Sequence, residues 1–159
     1  MDVSQRKQIE ALYFAMFEKL RTYARSSLKS ESLAEEAVQE TFSIACQNPE
    51  KLLTCDNPQG WLLVTLKNII RNMKRNRIAT QMILTEYLLA HNENLISPEH
   101  MVDLKLLYEN VADTEEFRLL VELAIEGRSH EEMARARGIT ISACKKRVER
   151  AKKILQKNI

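Results

Sequence analysis

From Ser142 to Arg150 the chain reads Ser-Ala-Cys-Lys-Lys-Arg-Val-Glu-Arg. Lys145, Lys146, Arg147 and Arg150 are positive charges close enough in sequence to neutralise several phosphates together. The Ser142 hydroxyl stands near a helix start, where an anion is favoured. A second basic set is Lys67, Asn68, Arg71, Asn72 and Arg75. Its offsets of i, i+1, i+4, i+5 and i+8 put it on one helix face. Guanidinium and ammonium groups suit phosphates, and side-chain amides suit base edges. A third set joins two carboxylates and an amide: Glu36, Gln39 and Glu40 fall at i, i+3 and i+4 and can meet Arg and Lys on a partner helix. None of these sets is catalytic. Cys46, Cys55 and Cys144 share no metal-like spacing, and His91, His100 and His130 are scattered. There is no phosphate-cradling glycine loop and no nucleophile–base pair. The sequence therefore predicts a binding protein rather than an enzyme, with no metal site and no cofactor.

Helices must hold these residues. Ser129 caps a helix with Glu132 three residues on, Gly138 ends it, and Thr140 caps the next. In that next helix Cys144, Val148, Ala151 and Leu155 form one apolar stripe, and Lys and Arg cover most of the remainder. Helix, glycine turn and basic helix read as a helix-turn-helix. A solvated basic helix in an unrelated bundle gives the same local pattern. Upstream, Ile9, Leu12, Tyr13, Met16, Phe17 and Leu20 predict a helix over about 4–28. Ser32 with Glu35 predicts the start of the next, buried through Leu33, Ala37, Val38, Thr41, Phe42 and Ala45. Asn48-Pro49 and Asn57-Pro58 bracket a connecting loop, and Asn57 caps the third helix. That helix turns Trp61, Leu62, Thr65, Leu66, Ile69, Ile70 and Met73 inward, with Trp61 a core anchor rather than a stacking platform. Residues 77–96 read as a linker. Ser97-Pro98-Glu99 opens a helix to about Val111, and Thr114 caps another that Gly127 stops.

Three glycines, three prolines and few β-branched runs in 159 residues favour an all-α fold. The expected architecture is two small helical domains joined by a linker, the second ending in the helix-turn-helix. No apolar run is long enough to span a bilayer, and the first residues lack the apolar core of a signal peptide, so a cytoplasmic protein with reduced thiols is expected. The net charge of +2 conceals segregation. Residues 57–85 hold five basic side chains and no acidic one; 86–126 hold two basic and ten acidic; 127–159 hold ten basic and three acidic. Two basic blocks around an acidic one fit two nucleic-acid-facing surfaces. A plain amphipathic helix would account for the 67–75 face alone. Its lack of any acid speaks against that, since ordinary exposed faces mix signs.

In this order the motifs resemble a bacterial RNA polymerase sigma factor of the extracytoplasmic-function (ECF) group, over nearly the whole chain. Ala34-Glu-Glu-Ala-Val-Gln-Glu-Thr-Phe42 is similar to the family's Ala-Glu-Asp-x-x-Gln-Glu-x-Phe. Trp61-Leu62 with Lys67-Asn68 and Arg71-Asn72 resembles its −10-binding helix, and Gly138 to Lys152 resembles its −35-reading helix. The resemblance implies a non-catalytic specificity subunit. Glu36, Gln39, Glu40 and Phe42 would meet the β′ clamp helices of core RNA polymerase. Lys67, Asn68, Arg71, Asn72 and Arg75 would hold the −10 element, with a base pocket in the loop between Gln47 and Gly60. Ser142, Lys145, Lys146, Arg147 and Arg150 would read the −35 element. It implies domains at 1–76 and 97–159, further contact with the β flap, and an anti-sigma factor as a candidate partner. Departures occur at Glu36 for Asp, at Asn72 where many members carry Asp, and at Ser142-Ala143-Cys144 for Gly-Thr-Val; the Leu-Pro usual near residue 113 is missing. The competing expectation is a helix-turn-helix regulator that binds an operator without polymerase.

Overall fold

The computed structural model describes residues 1–91 and 114–159. The fold is all-α, with no strand among the described residues. Helix α1 (Val3–Leu28) begins at a reciprocal cap: the Asp2 carboxylate accepts from the Gln5 amide at 2.7 Å and the Gln5 side chain accepts from the Asp2 amide at 3.1 Å. It ends at Lys29, which takes the left-handed conformation at φ 55°. That turn forces an early restart, so α2 (Glu31–Gln47) is capped by Ser30, not by Ser32 as the sequence predicted. The Ser30 hydroxyl accepts from the Leu33 amide at 3.3 Å. The expected loop before Asn57 contains a short helix, α3 (Pro49–Thr54), with Pro49 at its start and Leu52 fully buried. Helix α4 (Pro58–His91) follows, and the Asn57 side chain accepts from the Gly60 amide at 3.0 Å, as the cap reading required.

The chain divides into two compact units, Met1–Lys74 and Arg75–Ile159. In the first, Met16, Leu20 and Ala24 of α1 pack with Ala34, Ala37, Val38, Phe42 and Ala45 of α2, with Leu52, and with Leu62, Leu66 and Ile70 of α4. The small residues let the helices approach closely. The leucines supply most of the apolar burial, each worth about 1.5–3 kcal/mol. Trp61 is half-buried against this core, the anchoring position expected of it.

The second unit holds the rest of α4, then α5 (Glu115–Ala124), α6 (His130–Arg137) and α7 (Ile141–Lys157). The expected linker at 77–96 is helical up to His91, and residues 92–96 lie outside the described residues, as does the helix expected over 97–111. Leu84 and Leu88 are buried with Phe117, Leu120 and Val121 of α5, Met133 of α6, and Cys144, Val148, Ala151 and Leu155 of α7. The Tyr87 and Phe117 rings lie 5.7 Å apart. Arg77 and Gln81 both donate to the Ala124 carbonyl at 2.9 Å, satisfying an acceptor left open at the end of α5. This stretch reads as a linker because its tail turns polar. Its apolar residues at 84 and 88 are one helical turn apart, and they find partners only from distant sequence.

Candidate nucleic-acid interface

The α6–α7 pair is built by its caps. The Ser129 hydroxyl, itself buried, accepts from the Glu132 amide at 3.2 Å. Gly138 closes α6 at φ 63°, a conformation that favours glycine, and the Ile139 amide reaches the Ala134 carbonyl at 3.1 Å. The Thr140 hydroxyl then accepts from the Ala143 amide at 3.1 Å and starts α7. Cys144, Val148, Ala151 and Leu155 face inward, so Ser142, Lys145, Lys146, Arg147 and Arg150 are all exposed. Among the described residues none of these four cations is in an ion pair, which leaves each charge available to an anionic partner. Lys152 differs: it is mostly covered and bonds Glu149 at 3.1 Å.

An ion cluster that sequence reasoning did not find fixes α6 on α5. Arg137 donates to Glu115 at 2.7 Å, to Glu122 at 2.8 Å and to the Met133 carbonyl at 3.3 Å. The Arg137 and Glu122 side chains are only 13% and 14% exposed, so water screens them little. The hydrogen bond to Glu122 raises the guanidinium above its ordinary pKa; burial works the other way, and the Glu115 bond adds to the rise. Arg128 lies 3.7 Å from both Glu122 and Glu126 and extends the cluster. The only sequence signal was a pair of arginines, Arg135 and Arg137, in the last turn of α6 beside a glycine cap.

On α4, Lys67, Asn68, Arg71, Asn72 and Arg75 are all exposed, opposite the buried Leu62, Leu66 and Ile70. Arg75 is the first residue of the second unit, one position beyond the boundary at Lys74. The Lys67 ammonium sits 5.6 Å above the Tyr23 ring of α1, and Lys74 donates to the Ser27 hydroxyl at 3.0 Å. Tyr23 was not singled out in the sequence, where it reads as one more residue on a long amphipathic helix.

Of the four residues expected to meet the polymerase, three stay together and Phe42 parts from them. Gln39 and Glu40 are exposed and Glu36 is half-buried, all on the outer side of α2. Phe42 is 7% exposed and turns the other way, with its ring 4.9 Å from that of Tyr13. It falls on the buried stripe of Ala34, Val38 and Ala45, so it seats α2 on α1 rather than offering its ring to solvent. Among the described residues no cluster of His, Cys, Asp or Glu is placed to hold a metal ion, and no helix is long and apolar enough to cross a membrane.

Residues 13–79, less than half of the chain, match the family model for sigma-70 region 2. No curated protein matches the chain. The matched stretch takes in Glu36, Gln39, Glu40 and all five residues of the basic α4 face. It supports a sigma-70 family member, with a role in transcription initiation that involves core RNA polymerase and promoter DNA.

Proposed function

We propose that this chain is an ECF-type sigma factor that binds core RNA polymerase and directs it to promoters through two DNA grips. The observation that carries this is a sigma-70 region 2 match ending at residue 79, followed downstream by a helix-turn-helix whose exposed side is basic. Glu36, Gln39 and Glu40 on the outer side of α2 would meet the basic clamp helices of the β′ subunit, with Phe42 bracing them from beneath. The α4 face from Lys67 to Arg75 would hold the opened −10 element. Opening a duplex costs a few kcal/mol per unstacked step, and capture of a flipped base offsets it. With α3 occupying Pro49–Thr54, the base pocket of this reading would lie in the turns on either side of it. Ser142, Lys145, Lys146, Arg147 and Arg150 on α7 would meet the −35 element, with the helix N-terminus toward the groove. Contact with the β flap, a cytoplasmic location and control by an anti-sigma factor belong to the same reading.

Reconstitution with core RNA polymerase, followed by mapping of transcript 5′ ends, tests it. The expected result is initiation at a discrete set of promoters sharing −10 and −35 sequences. Initiation no different from that of core polymerase alone would overturn the reading. Tight operator binding by the free chain in that case would favour a helix-turn-helix regulator instead.

A further inference from the structure

The basic face of α4 adjoins an exposed aromatic ring that its own charges do not require. Tyr23 is 40% exposed on α1, beside a shallow depression lined by Glu18, Lys19, Thr22 and Ser26. Lys67 stands over its ring at 5.6 Å, and Lys74 is held nearby on Ser27. The acid nearest in sequence, Glu18, is paired with Arg21 at 3.2 Å, which offsets its repulsion of a phosphate. Trp61, the aromatic at the start of α4, is half-buried against the core and does not offer an open ring. A solvent-facing ring flanked by cations is the arrangement that holds an unpaired base: the ring stacks on the base and the cations take the backbone.

We propose that Tyr23 is a stacking platform for one unpaired base of single-stranded DNA, with Lys67 leaving its ring to take an adjoining phosphate. The exchange is favourable on two counts. An ammonium over an exposed ring is held weakly, because water competes for it, whereas base–aromatic stacking is the stronger contact. The displaced ammonium is not stranded either, since it gains a phosphate and releases counterions. In the free protein Lys67 stands over one face of a ring that is otherwise open to solvent. The inference rests on reading the Lys67–Arg75 face as the surface that holds melted promoter DNA.

The test uses the full chain, a fluorescein-labelled single strand of about twelve nucleotides of mixed sequence, and the same backbone with abasic sites. Binding is followed by anisotropy at low salt. The wild type is expected to prefer the base-bearing strand about tenfold. Tyr23→Leu should lose that preference while binding the abasic strand as the wild type does, and Tyr23→Phe should keep it. Thermal unfolding of both variants checks that α1 still packs. Equal binding of the two strands by the wild type, no binding of either, or a preference retained in Tyr23→Leu would overturn the platform. Promoter-directed initiation is read separately. Initiation by the wild type with an unchanged preference in Tyr23→Leu removes the platform alone, whereas absence of initiation removes the broader reading.

Discussion

At Arg137 one side chain holds two helices in register. It joins the last turn of α6 to both ends of α5, and the bond to Glu122 is nearly dry. Because the guanidinium is raised above its ordinary pKa, its contribution is complete below the unfolded value. It would be lost only as pH rose through the still higher folded one, beyond any working range. The Arg side of this cluster therefore adds no pH dependence. Arg137→Met should cost about 2 kcal/mol in denaturant unfolding of the second unit, toward the low end for a broken charged pair. The reason is that Arg128 remains 3.7 Å from Glu122, and Glu115 is about half exposed and can turn to water. An unchanged midpoint would show that the cluster merely decorates the surface. Such a cluster is not legible in sequence, because Glu115, Glu122 and Arg137 lie 7 to 22 residues apart and follow no single helical repeat. The exposed cations of α7 are the opposite case. Their positions follow from the apolar stripe opposite them, and the structure places all of them on the surface.

Among the helices, the apolar repeat alone located α1, and a cap or stop residue beside such a repeat located the start of α4 and the α6–α7 turn. These local signals misplaced the start of α2 by two residues. Ser30 and Ser32 are equally good caps, and the choice depended on the left-handed turn at Lys29, which no glycine announced. They missed α3, whose six residues are too few for periodicity to register. The second half of α4 is the largest difference. Leu84 is fully buried in the core of the second unit. Leu84→Ala should therefore cost about 2–5 kcal/mol and lower the midpoint for that unit, measured by chemical unfolding. A flexible tether would tolerate the change with no measurable loss, and that outcome would contradict the packing described.

For the whole molecule, charge segregation governs how it meets a polyanion. The two basic blocks belong to different stretches of sequence, and an acidic block of ten Asp and Glu stands between them. Under the proposed function, promoter affinity of the reconstituted polymerase should fall steeply with salt. Lys145→Gln with Lys146→Gln should reduce the magnitude of the log–log slope by about 2, one unit per lost phosphate contact. A slope unchanged beside weakened binding would mean that these lysines touch base edges and not phosphates. This scale was the most legible from composition alone, because a count of charges along the chain needs no tertiary information. What composition could not show is where one packed unit stops and the next starts, since both draw on the same helix.

Sharing α4 has a practical consequence for taking the molecule apart. A fragment starting at residue 97, the boundary suggested by sequence, would discard Leu84 and Leu88 and leave Phe117 and Leu120 without that wall of their core. It would also remove the Arg77 and Gln81 donors from the Ala124 carbonyl. A gene fragment meant to yield the helix-turn-helix half as a folded piece should begin at Arg75. Even there the cut passes through continuous helix, and the new first turn will need a capping residue supplied by the vector.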